Sequence, residues 1–137
     1  MSERRTSILF VDDSKVRFEV LEPWLNGVDI VHVRTSEAAK AAMFDKPYDA
    51  IFLDHDLGDE QPNPTEDGTA IAKWLAETAP DDFKENVLVV IHTWNTLAGR
   101  RMHAILDDAG VKNIFLMPFE PGYVAGVING IKERRGE

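Results

Sequence analysis

Short apolar runs alternate along this chain with longer segments whose apolar residues recur every three or four positions. Ser7 to Val11 is nearly continuous in apolar character and predicts a strand buried on both faces. Over residues 14–25, Val16, Val20, Leu21, Trp24 and Leu25 fall at helical spacing. Ser14 suits the cap of that helix, Pro23 bends or shortens it, and Asn26-Gly27 ends it. Residues 28–33 predict a second strand, with His32 as a surface or satisfied edge-strand histidine rather than a ligand. Thr35 or Ser36 then caps a helix that packs through Ala38, Ala39, Ala42 and Met43, closed by Lys46-Pro47.

A third strand runs through Ala50-Ile-Phe-Leu53 and stops abruptly at Asp54-His55-Asp56. The polar stretch from Asp59 to Gly68, with its two prolines and four acids, predicts a long loop. Helical spacing resumes over 69–78, with Ala70, Ile71, Trp74 and Leu75 on one face. Pro80-Asp81-Asp82 reads as a turn with a solvated acid pair. Residues 86–92 predict a strand, 96–109 a helix with Met102, Ile105, Leu106 and Ala109 inward, and Gly110 its stop. Residues 112–117 predict a fifth strand and 122–134 a last helix facing inward through Val124, Val127, Ile128 and Ile131. Its Gly126 and Gly130 suit close packing but weaken the helix.

Strand and helix thus alternate five times. Near-continuous apolar strands between amphipathic helices predict an α/β fold: a five-stranded parallel sheet, doubly wound, with right-handed crossovers. The flavodoxin-like order 2-1-3-4-5 places the ends of strands one and three side by side, where such sheets bind ligands. The chain reads as a single domain over residues 1–137, with short flexible ends at about 1–6 and 134–137.

Charge and composition narrow the chemistry. Fifteen basic against 24 acidic side chains give a net charge of −9, which disfavours general DNA binding through a basic face. Cysteine is absent, so thiolate metal sites, disulfides and a cysteine nucleophile are excluded. The opening Met-Ser-Glu-Arg-Arg is polar and no stretch has the length of a membrane span, which points to a cytoplasmic domain. Strand one ends in Asp12-Asp13 and strand three in Asp54. Carboxylates that converge at adjacent strand ends repel, so one holds a proton or a hard cation neutralises them. Oxygen ligands without cysteine suit Mg²⁺ or Mn²⁺.

These residues resemble the receiver domain of response regulators over nearly the whole chain. Val11-Asp12-Asp13-Ser14 is similar to the receiver acidic pair, and Asp54 to the aspartate phosphorylated in that family. The resemblance implies a cation held by these carboxylates and by the backbone carbonyl of Asp56. It also implies a phosphoryl-binding role for Thr93, and it matches Pro118 to the proline before the last helix. A stand-alone receiver would accept phosphate on Asp54 from a histidine kinase. Receivers, however, carry a lysine just before that proline, and Met117 stands there instead.

A narrower resemblance accounts for the difference. Leu53-Asp54-His55-Asp56-Leu57-Gly58, then Asp67-Gly68, His92-Thr93-Trp94-Asn95 and Gly99-Arg100-Arg101-Met102 look like a divergent branch, the cyclic-phosphate-processing receivers. That resemblance implies a metal-dependent phosphoesterase acting on a phosphate-containing small molecule or an RNA end. Asp12, Asp13, Asp54 and Asp56 would supply the metal site. Opening a cyclic phosphodiester needs charge stabilisation and proton transfer, which His55 and His92 could share beside Asp54. Asn95 and Thr93 would bond phosphate oxygens, and Arg100 or Arg101 would replace the missing lysine. Trp94 could stack a base or serve as core or lid. Asp54-His55-Asp56 also resembles the DxD start of haloacid-dehalogenase phosphatases, but it does not lie on the first strand. The later lysine and acidic pair of that family are not found.

Overall fold

A computed structural model describes residues 5–57 and 67–136. Five strands form one parallel sheet: β1 (Ser7–Val11), β2 (Asp29–Val33), β3 (Ala50–Leu53), β4 (Leu88–His92) and β5 (Asn113–Met117). Their order is β2-β1-β3-β4-β5, the doubly wound order the alternation of elements predicts. Among the described residues, α1 (Lys15–Leu21), α2 (Ser36–Ala42), α3 (Gly68–Thr78), α4 (Asp81–Asn86) and α5 (Thr96–Asp108) lie between successive strands, and α6 (Pro121–Arg134) follows β5.

Side chains on a strand point alternately to opposite faces, and the core divides accordingly. Leu9, Val11, Ile51, Leu53, Val89 and Ile91 pack on one face against Met43, Ile71, Leu75, Met102 and Leu106. Ile8, Phe10, Ala50, Phe52, Leu88 and Val90 pack on the other against Leu21, Val124, Ile128 and Ile131. Each fully buried side chain of this kind contributes roughly 1.5–3 kcal/mol. No helix among the described residues is long and apolar enough to cross a membrane.

The structure corrects several details. The first helix is shorter than its periodicity suggests, because Pro23 turns its end into a 3₁₀ turn over Glu22–Trp24. Of its expected inward residues, Leu21 and Leu25 are buried, but Val16 is 67% exposed and Val20 and Trp24 are exposed too. Phe18 packs inward instead, stacked on His32 at 4.4 Å. The turn expected at Pro80 opens helix α4, with Asp81 and Asp82 favourably placed in its first turn and Phe83 as its buried anchor. The following strand consequently starts at Leu88. Gly126 and Gly130 do not serve close packing, since a Cβ at either meets open space. Thr6, assigned to a flexible end, is fully buried, and its carbonyl accepts from the Asp29 amide. Thr35 is the residue that caps α2, accepting from the Ala38 amide. The expected loop lies outside the described residues apart from Asp67, which caps α3 by accepting from the Ala70 amide, and Gly68, which opens that helix.

Candidate functional site

The sheet register decides which side chains meet. Phe10 pairs with Phe52, and Phe52 with Val90. Two residues further on, the same face carries Asp12, Asp54 and His92, and His92 pairs in turn with Met117. The ladder continues one bond past the strands: the Asp12 amide donates to Val33 O (3.1 Å), that of Asp54 to Val11 O (3.0 Å), and that of Thr93 to Met117 O (3.1 Å). These bonds fix the backbone from which each side chain leaves. Asp12, Asp13 and Asp54 each offer an oxygen, all within 4.8 Å of one another.

The cation between them is a guanidinium. Ser14 caps α1 by accepting from the Arg17 amide (3.1 Å), which places Arg17 in the first turn of the helix, beside the carboxylates. Arg17 grips Asp12 with two bonds of 2.8 Å, from Nε to Oδ2 and from NH2 to Oδ1. The same NH2 donates to Asp54 Oδ2 at 3.0 Å and lies 3.7 Å from Asp13. Asp12 accepts further from the Ser14 amide (2.8 Å) and from His92 Nε2 (3.1 Å). Burial alone would raise the Asp12 carboxyl, but the bonds from His92 and Arg17 outweigh it and hold the group at about 2. Asp54 behaves oppositely. Burial and the neighbouring Asp12 charge push it up to about 8 against the smaller pull of Arg17.

His92 is wholly buried and stacks flat on Phe10, with ring centroids 5.0 Å apart. Burial lowers its pKa in spite of the Asp12 carboxylate, and its Nε2 faces Asp12 Oδ2 at 3.1 Å. Nδ1 is buried without a hydrogen-bond partner.

A cavity of about 400 Å³ opens over this cluster, lined by Asp13, Arg17, Asp54, Asp56, His92, Thr93, Trp94 and Phe119. A larger groove of about 950 Å³ runs between β5 and α6, but the converging carboxylates belong to the smaller cavity. Gly68 presses against the cavity's backbone: a Cβ there would sit 2.3 Å from Asp54 O, which only glycine allows.

Not every sequence-predicted residue reaches the cavity. Asp12, Asp13, Asp54, Asp56, His92 and Thr93 gather at or directly beneath it. His55 does not line it: its Nδ1 faces Asp56 (3.0 Å) and its Nε2 faces Asp67 (3.3 Å). Asn95 spends its side-chain oxygen capping α5, accepting from the Ala98 amide at 3.1 Å. Arg100 and Arg101 are both exposed on α5, outside the cavity lining, so neither stands where the missing lysine's charge is wanted. Arg17 does. Sequence reasoning passed over it because helical periodicity sorts Arg17 onto the polar face. The available signal was a basic residue three positions after a capping serine that itself follows the acid pair.

The donors present suit a hard divalent cation. They are carboxylate oxygens only, and the guanidinium already seated among them shows that their combined charge accommodates a positive centre.

The sequence model of the family described as "Cyclic-phosphate processing Receiver domain" matches residues 7–108. The chain belongs to this family. Among solved structures, the receiver domain is similar to a two-component response regulator from Clostridium difficile. They share 21% identity with a TM-score of 0.66, over 97% of this chain and 100% of the other. It is also similar to a CheY-like response regulator receiver domain from Methylobacillus flagellatus (22%, TM-score 0.62, 93% and 99%). A third likeness is to the phosphorylated cyanobacterial phytochrome response regulator RcpA (18%, TM-score 0.63, 95% and 93%). No curated protein matched the sequence. At these identities the solved structures establish the fold, and the chemistry rests on this receiver domain's own residues.

Proposed function

We propose that this receiver domain is a metal-dependent phosphoesterase that opens cyclic phosphates of a small molecule or an RNA end. One observation supports the reading: three converging carboxylates lie at or beneath one cavity that an arginine and a threonine also line, in a family described by cyclic-phosphate processing. Hydrolysis adds water to phosphorus, breaks one ring P–O bond and returns the proton to the departing oxygen, leaving a phosphomonoester and a free hydroxyl.

Asp12, Asp13 and Asp54 would hold Mg²⁺ or Mn²⁺, with the Asp56 carbonyl as a further ligand. Such an ion supplies charge stabilisation at the phosphoryl oxygens and acidifies bound water. Thr93 Oγ1 accepts from the Asn95 amide at 3.0 Å, which leaves its hydroxyl proton free to donate to a phosphate oxygen. Arg17 supplies the positive charge that Met117 cannot, and its NH2 is the group placed to pass from Asp54 to a phosphate oxygen. His92 positions Asp12 through its Nε2 proton. His55, committed to Asp56 and Asp67, braces the exit of β3 rather than moving protons in the cavity.

The test is turnover of adenosine 2′,3′-cyclic phosphate by the purified domain with Mg²⁺ or Mn²⁺. Activity should vanish in Asp54→Asn and fall in His92→Ala. Absence of turnover across a panel of cyclic phosphates and both metals would overturn the reading. A second reading, phosphorylation of Asp54 by a histidine kinase, draws support from the convergence of Asp54 and Thr93 and from the fold shared with response regulators. A stable, Asp54-dependent mass increase of one phosphoryl group after treatment with acetyl phosphate would favour it.

A further inference from the structure

The cavity has a mixed lining. Asp13, Arg17, Asp54 and Asp56 make one part of its lining charged, while Trp94 and Phe119 bring aromatic rings to it. Trp94 is 70% exposed. Of the exposed large apolar side chains among the described residues, it alone lines this cavity. Trp74 stacks on Phe44 with centroids 5.4 Å apart, whereas Trp94 stacks on no other ring among the described residues. An indole left in water beside an acidic site contributes little to the fold.

Its backbone, by contrast, is pinned on both sides. The Thr93 amide donates to Met117 O (3.1 Å), the Asn95 amide to Thr93 Oγ1 (3.0 Å), and Asn95 caps α5. The ring is thus presented from a fixed support, adjacent in sequence to the threonine that lines the cavity.

We infer that Trp94 is a stacking platform for a nucleobase, and that the ligand of this site is a nucleoside cyclic phosphate. The inference rests on the phosphoesterase reading and narrows its substrate class. A nucleotide offers a partner to each kind of lining: an anionic group for Arg17 and a cation held by the carboxylates, and a flat π-surface for the indole. About 400 Å³ falls within the range of small-ligand sites. Stacking on indole takes any base, with the larger purine surface favoured. The net charge of −9 opposes a polyanion, so the free mononucleotide is the better ligand and an RNA end the weaker one.

The experiment uses the whole chain and its Trp94→Ala and Trp94→Phe variants, with thermal melts confirming that an exposed substitution leaves the fold intact. Calorimetry with Mn²⁺ present compares adenosine 2′,3′-cyclic phosphate, glycerol 1,2-cyclic phosphate and a short oligoribonucleotide ending in the same cyclic phosphate. Steady-state kinetics follow the same panel. Trp94→Ala should weaken adenosine binding and raise its KM roughly 5- to 150-fold, the span of base–aromatic stacking, with kcat unchanged. Trp94→Phe should retain most of the affinity, and the glycerol compound should be indifferent to both changes. The oligonucleotide should bind more weakly than the mononucleotide.

Equal effects of Trp94→Ala on adenosine and glycerol compounds, or no effect on either, would overturn the platform, and so would binding of none of them. Tighter binding of the oligonucleotide would overturn the mononucleotide assignment. Failures of the two readings separate cleanly. Selective loss of adenosine binding without turnover of any compound sinks the phosphoesterase and keeps the platform. Turnover indifferent to Trp94 does the reverse.

Discussion

The ends of β1 and β3 are near-copies that behave as opposites. Each is a short buried strand closing in an aspartate of the same sheet row, with Asp12 fully buried and Asp54 at 4% exposure. Yet Asp12 is held at about 2 and Asp54 is pushed up to about 8. Burial is common to both and cannot be the cause of the difference. Each accepts from one backbone amide, but Asp12 has two further bonds from Arg17 and one from His92, whereas Asp54 shares a single Arg17 nitrogen and feels the Asp12 charge. Donors decide which carboxylate stays ionised, and the other is left as the one that gains most from an incoming cation.

The sharpest way to break this comparison is Asp54→Asn. Turnover should fall by at least about 10²–10³-fold, the scale of losing a main charge-stabilising contact. The fold should nevertheless become more stable at pH 8. A carboxyl with a raised folded pKa contributes stability that is present below the unfolded value of 3.8 and is lost as pH climbs through about 8. The amide removes that loss, so the melting temperature of the variant should exceed the parent's at pH 8 and approach it at pH 4.

Asp12→Asn should do the reverse. It breaks a partly buried ion pair and should cost about 3 kcal/mol, the low end for such pairs because Arg17 stays partly open to water. The Asp12 contribution is present above 3.8 and disappears as pH falls through about 2, so acid denaturation of the parent reports on it. A similar melting temperature for Asp12→Asn and Asp54→Asn at pH 8 would erase the distinction between the two strand ends.

Smaller effects sharpen it. Because Asp54 holds a proton near neutral pH, uptake of Mn²⁺ should release one. Affinity should therefore rise between pH 6 and 8, flatten above that, and lose this slope in Asp54→Asn, as calorimetry in buffers of different ionisation heat would show. Arg17→Gln removes a competing cation from the cluster and should tighten Mn²⁺ binding by about tenfold. Smallest is Met117→Lys, which adds an ammonium in the row of His92. It should lower the Asp54 pKa and raise acetyl-phosphate labelling only modestly, since Arg17 already supplies charge there.

Much of this arrangement was legible beforehand, for definite reasons. Five apolar runs spaced by helical segments leave few topologies, and acids directly after two of those runs fall at one rim by the sheet order alone. What stayed hidden depends on geometry that periodicity does not encode. Arg17 lies on a helix face that reads as solvated, and only the capped first turn beside Asp12 brings it inward. Arg100 and Arg101 had the right charge and neighbourhood in sequence, but their helix presents them to water. His55 and His92 read alike as histidines at strand ends. The strand alternation sends His92 under the cavity, while Asp56 and Asp67 hold His55 aside. Helix α4 has only Phe83 as a buried anchor, too little to produce a pattern.

The clasp between His55 and Gly68 has a practical consequence. The Gly68 amide donates to His55 O at 2.8 Å, and Asp67 reaches the His55 ring. The end of β3 and the first turn of α3 are thereby fastened at one point, so a side chain forced in at Gly68 would pull the Asp54 backbone out of line with its neighbours on the sheet.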